Sequence, residues 1–253
     1  MAGVREGARL IEFLHLAFLQ VLPMRLAVAE YIVKGGANLR LFFDSRRRSQ
    51  DIDLDYAGTA FWRVEERVDG VLASRAFRDL LAVGGIELLD LTKPKQTNTT
   101  RRWKFAVRRG GAHLNSKIEF SARQARDAEV GLDVARADVG REAGLRAVRA
   151  RHYLAAAAIR QKVHVLAERK QTEPRDVFDL DLLASQHRDA VGRGDMAPSL
   201  LERAAAAAFA IPFDAYRDLV VDFLEDEFVE IYDRREVWDE MVVHVVDFLE
   251  SLQ

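Results

Sequence analysis

The 253 residues contain no cysteine, which removes disulfides, thiolate metal sites and cysteine nucleophiles together. No apolar run reaches the roughly 18 residues that a membrane span needs; FLHLAFLQVLPM is too short and runs into Pro23. The N-terminus lacks a basic region followed by an apolar stretch and a small-residue cleavage site. The expectation is a cytoplasmic protein with no membrane partner. Neither a repeat of fixed period nor a low-complexity linker interrupts the chain. What is present, 49% hydrophobic and 31% charged residues, fits one large globular domain or two modest ones.

Acids are missing from one long stretch. Between Thr92 and Ile118 there are none, against Lys93, Lys95, Arg101, Arg102, Lys104, Arg108, Arg109 and Lys117. From Asp214 to Glu240 the balance reverses, with eleven acids and three arginines. The net charge of −2 therefore conceals a basic middle and an acidic end. The text KPKQTNTTRRWKFAVRR alternates like a hairpin whose cationic face can track a phosphate backbone, with Trp103 for stacking. Lys93, Lys95, Arg101, Arg102 and Lys104 are the candidate nucleic-acid contacts. The same cations also suit an edge strand protected against aggregation.

Periodicity predicts a helix over the first 30 residues, with Leu10, Phe13, Leu14, Ala17, Phe18 and Val21 on one stripe. A short strand at Tyr31–Val33 runs into Gly35 and Gly36, ANLRLFF turns back as a short helix, and DIDLDY alternates as a strand. Residues 60–85 read as helix ending at Gly84-Gly85, and IELLDL and RRWKFAVR as strands, with Gly110-Gly111 turning toward HLNSKIEFSAR. After Arg126 strand signals fade into charged and alanine-rich helical text, ending in amphipathic segments around 214–231 and 235–252 with acidic outer faces. The fold class is α+β: a mixed α/β domain over 1–125 and an all-helical domain over 126–253.

The chemistry-bearing residues gather in YIVKGGANLRLFFDSRRRSQDIDLDY. Gly35 and Gly36, between a strand and a helix, let backbone approach a phosphate. Asp51 and Asp53, two apart on a strand, share a face and can hold one or two divalent cations; a solvated strand edge has the same pattern. A calcium loop is excluded, because Tyr56 stands where glycine is needed and Trp62 where glutamate is needed. Glu119, in SKIEFSAR, is the candidate third carboxylate, though its apolar neighbours also suit an acid that simply faces water. Lys162 follows an alanine run and can face a triphosphate. In TEPRD, Thr172 reads as a helix cap and Pro174 as an early helical residue. Asp176 and Asp179 then share one helix face, as a capping acid and a surface acid would.

The sequence resembles the AbiEii/AbiGii-type nucleotidyltransferase toxins of the DNA polymerase β-like superfamily, found in abortive-infection and type IV toxin–antitoxin systems. The resemblance rests on VKGGANLRL, RRSQDIDLDY, KQTNTTRRWKF, KIEFS and EPRDVFDLDLL, from about residue 31 to 183. It implies a polymerase β-like domain with a small mixed sheet flanked by helices, followed by a helical domain. Gly35 and Gly36 would cradle the nucleotide phosphates, and Asp51 and Asp53 would bind Mg2+, with Glu119 where the superfamily often has its third acid. Lys162 would neutralise the triphosphate and Asp176 would orient that lysine or the acceptor. Arg47 and Ser49 would order the loop or touch phosphate. The implied activity is transfer of NMP from an NTP substrate to an acceptor, the 3′ end of tRNA, with a cognate antitoxin as partner. Modification of a protein or small molecule, and an inactive RNA- or partner-binding module, are the competing readings.

Overall fold

The computed structural model describes residues 2–122, 129–142 and 144–253. The chain divides into two units, Met1–Asp44 with Arg48–Tyr153, and Ser45–Arg47 with Leu154–Gln253. The junction expected at 125/126 lies outside the described residues; the division by contacts falls later, between Tyr153 and Leu154.

The first unit is built on a seven-stranded mixed sheet. Its strands are β1 (Tyr31–Lys34), β2 (Asp51–Tyr56), β3 (Glu87–Gln96), β4 (Thr100–Arg109), β5 (Ala112–Ser121), β6 (Val130–Val134) and β7 (Arg149–Tyr153). They lie in the order β3-β4-β5-β2-β1-β7-β6. β2 runs antiparallel to β1 and parallel to β5, and β1 runs parallel to β7. One face is apolar. Tyr31, Val33, Ile52, Leu54, Trp103, Phe105, Val107, Ile118 and Phe120 all point into one core.

Helices of the same unit help fill that core. α1 (Ala2–Val21) contributes Leu10, Leu14, Ala17 and Phe18. Arg5–Met24 does have the length and hydropathy of a membrane span, although its uninterrupted apolar run is short; 78% of the window is buried in the protein. α2 (Gly35–Phe42) adds Ala37 and Leu41. The helix expected over 60–85 is two, α3 (Val64–Leu72) and α4 (Arg75–Val83). Ser74 separates them, because its Oγ accepts a hydrogen bond from the Phe77 N–H and so starts a new helix.

The fading of strand signal after Arg126 misses β6 and β7. RARHY has no β-branched residue, yet its Ala150 and His152 alternate inward and its pairing with β1 and β6 makes it a strand. Tertiary pairing overrides local preference there. Between the two strands runs α5 (Ala137–Glu142).

The second unit is helical: α6 (Ala155–Glu168), α7 (Pro174–His187), α8 (Pro198–Phe209), α9 (Phe213–Leu219), α10 (Asp226–Tyr232) and α11 (Arg235–Ser251). α6 and α11 each pack on both α7 and α8. Buried Ala157 and Ala158 on α6, and Ala204 and Ala208 on α8, keep these helices thin where they meet. The single segment expected over 214–231 is broken into α9 and α10 by a turn at Val221–Phe223. Pro174 opens α7 as expected, but Glu173 rather than Thr172 precedes it, without a side-chain cap.

Trp103 is fully buried and its Nε1 donates to Asp69 Oδ1 at 2.8 Å. It is a core residue and unavailable for stacking on a base. Trp62 is the exposed one, at 66%. Accordingly Trp103→Ala is expected to cost about 3–5 kcal/mol in urea unfolding. Trp62→Ala should stay within about 0.5 kcal/mol of the parent.

Candidate active site

The alternation of β2 places Asp51, Asp53 and Asp55 on the sheet face opposite the core. Register then lines up partners across the strands. One row runs Lys95, Arg102, Glu119, Asp53, Lys34, and the next runs Thr92, Lys104, Lys117, Asp51. The three aspartates nevertheless differ. Asp55 is fully buried; it accepts hydrogen bonds from Lys34 Nζ and from the Tyr153 hydroxyl, the latter at 2.6 Å. Lys34 also donates to Ser121 Oγ at 3.1 Å. Asp55 is thus an anchor joining β1, β2 and β7, a role its place in the alternation did not reveal.

Asp51 and Asp53 are only part-buried, at 30% and 35% side-chain exposure, and both face Lys117. Burial pushes the Asp53 carboxyl above its usual range, opposed first by Lys117 and then by Lys34, while Glu119 and Asp51 push it further up. Glu119 is adjacent in register, but Arg102 holds its Oε2 at 2.5 Å. Among the described residues no group of three His, Cys, Asp or Glu side chains that could hold a metal ion is present. Asp51 and Asp53 both face Lys117, and Glu119 faces Arg102.

The glycines sit where β1 turns into α2. Gly35 has φ +64°, a left-handed conformation that favours glycine, and a methyl group there would lie 3.7 Å from Asp53 Oδ2. The amino end of α2, opened by Gly35 and Gly36, thus lies beside Asp53. Ser49 donates from Oγ to the carbonyl of Asp51 at 2.7 Å, ordering the entry to β2.

The remaining predicted residues gather in the helical unit. Lys162 Nζ lies 2.9 Å from Asp176 and 2.6 Å from Asp179. Arg47 Nη2 bonds both oxygens of Asp179, at 3.0 and 2.9 Å, and Arg169 reaches Asp176 at 3.1 Å. All of these except Arg169 are buried or nearly so. Burial alone would lower Lys162, but the two carboxylates outweigh it and hold the ammonium above its usual range. Burial would raise Asp179, yet Arg47 and Lys162 outweigh it and hold the carboxyl below its range. Asp179 is no surface acid; it is the centre of this network. The clue lay in Asp176 and Asp179 sharing a helix face, read as a cap and a solvated acid instead.

The five candidate nucleic-acid contacts do not share a face. Lys95, Arg102 and Lys104 lie on the face of Asp51 and Asp53. Lys93 instead turns to α3, bonding Glu65 at 2.7 Å and Asp69 at 3.0 Å. Arg101 lies over the Phe61 ring, 5.2 Å from its centroid. The β-bulge between Thr92 and Lys95 breaks the alternation that the sequence suggested.

A glycine-opened helix thus follows the first strand, and paired carboxylates stand on the next. The family model for the nucleotidyl transferase AbiEii toxin of type IV toxin–antitoxin systems matches residues 18–252. The chain belongs to this family and is a toxin-type nucleotidyltransferase, and an antitoxin is the partner that such membership carries. In fold it is similar to JHP933 from Helicobacter pylori, with a TM-score of 0.55, 18% identity, and coverage of 93% of this chain and 88% of that one. A second H. pylori structure, of a candidate nucleotidyltransferase, gives 0.56 at 18% identity, covering 93% and 91%. No curated protein matches the chain.

A carboxyl held below its usual range stabilises the fold above its unfolded pKa, and that stability fades as pH falls through the lower, folded value. Asp179→Asn, which removes the charge that Arg47 and Lys162 both face, is expected to cost about 3–5 kcal/mol near neutral pH. The gap to the parent should narrow as pH falls below about 4. Urea midpoints at neutral and acid pH check both.

Proposed function

We propose that this enzyme transfers NMP from an NTP to a hydroxyl at the 3′ end of tRNA, blocking translation. The observation that carries the reading is the Asp51–Asp53 pair on an open sheet face beside the amino end of α2. The acceptor oxygen forms a bond to the α-phosphorus and the bond to the β-phosphate oxygen breaks. Pyrophosphate leaves, and the hydroxyl gives up its proton.

The donors suit a hard cation, because Asp51 and Asp53 supply carboxylate oxygens on one strand face. Mg2+ held by these two would neutralise phosphate charge and activate the nucleophile. The first amides of α2, at Gly35 and Gly36, bind phosphate. Glu119 keeps Arg102 on the face, while Lys95 and Lys104, exposed and without an ion-pair partner among the described residues, contact the acceptor's backbone. In the helical unit, Arg47, Lys162 and Asp176 act as one ion-pair network, and any contact of Lys162 with phosphate requires it to give up a carboxylate. The substrates are cytoplasmic, and so is the proposed site of action.

Incubation with Mg2+, each labelled NTP and total tRNA is expected to put label in the tRNA band with at least one NTP. Label in a protein or small molecule instead would move the acceptor, and no transfer from any NTP would defeat the reading. Asp53→Asn should lower the transfer rate by about a hundredfold or more, with the melting temperature retained. Gly35→Ala is expected to cost about 1 kcal/mol from its backbone conformation and to raise KM for the NTP.

A further inference from the structure

We infer that Lys117 is the built-in counter-cation of the Asp51–Asp53 pair, and that its ammonium gives way when a divalent cation binds there. This rests on the metal reading just proposed and adds to it a competitor encoded in the chain. Lys117 lies on β5 directly opposite Asp51 in parallel register. Its Nζ stands 3.2 Å from Asp51 Oδ2 and 3.8 Å from Asp53 Oδ1, so one ammonium faces both carboxylates. Lys34, the other cation that acts on Asp53, is committed to Asp55 and Ser121. Lys117 bonds nothing else among the described residues and keeps 24% of its side chain exposed, which gives its ammonium a path to water.

Two carboxylates two residues apart on one strand face repel each other when both are ionised. Lys117 relieves part of that repulsion in the protein without metal, since its one positive charge faces two carboxylates. The same pairing opposes the metal. Binding must first separate Lys117 from two anions, and the affinity of the bare carboxylates is lowered by that cost. Phosphates of an arriving nucleotide offer the released ammonium a new anion, which couples metal binding to nucleotide binding. The metal then stays with the substrate and is held weakly without it.

The test is Mn2+ titration followed by electron paramagnetic resonance, on the full chain without nucleotide. Lys117→Gln is expected to tighten Mn2+ binding about tenfold, since one unit charge beside the ligands has been removed. Lys117→Arg, which keeps the charge, should stay within about threefold of the parent. Melting temperatures establish that both variants are folded. Unchanged or weaker Mn2+ binding by folded Lys117→Gln overturns the inference. Asp53→Asn separates the two readings. If it loses Mn2+ while Lys117→Gln binds like the parent, only the role of Lys117 falls. If Asp53→Asn binds Mn2+ like the parent, the carboxylates are not the metal site and both readings fall.

Discussion

A one-residue slip of β2 would drive three carboxylates into the core and expose Ile52, Leu54 and Tyr56. The burial of those three apolar side chains therefore fixes where the aspartates point. The neighbouring strands inherit the constraint. With β5 locked parallel to β2, Lys117 must stand beside Asp51 and Glu119 beside Asp53. With β4 locked to β5, Arg102 and Lys104 fall in the same two rows. The charge pattern of the open face is thus a by-product of packing on the closed one.

The sheet face also shows why a count of charges along the chain is a poor guide to a binding surface. The acid-free stretch from Thr92 to Ile118 is a run only in sequence. Once folded, Lys93 meets Glu65 and Asp69 from α3, Arg102 meets Glu119 from β5, and Arg108 meets Glu87 from β3. Lys95 and Lys104, on β3 and β4, are exposed and have no ion-pair partner among the described residues, and Lys104 stands next to Lys117 in the row that ends at Asp51.

Much of the frame was legible in the sequence because period and punctuation carried it. The alternation of DIDLDY, the glycine pair after a β-branched run, and the turn at Gly110-Gly111 each have a local physical cause. β6 and β7 were not legible, since their strand character comes from pairing with distant partners. Nor was the division of labour within the aspartate triplet. Asp55 is buried because Lys34 and Tyr153, at positions far from it in the chain, close over it. Trp103 was misjudged for a related reason: its neighbours Arg102 and Lys104 are charged, but alternation turns the indole inward, where Asp69 accepts its one polar hydrogen.

Ser45–Arg47 carries a structural cost for anyone dissecting the chain. These three residues are grouped with the helices: Arg47 pairs with Leu224 and with Asp179, and the Arg46 carbonyl accepts from the Glu225 N–H at 3.1 Å. A fragment starting at Leu154 would carry every helix of that unit yet leave behind the guanidinium that balances its most buried carboxylate. The helical half is therefore not an autonomous piece of gene. The contacts of Ser45–Arg47 with Asp179, Leu224 and Glu225 form only after the chain has been made far beyond β2.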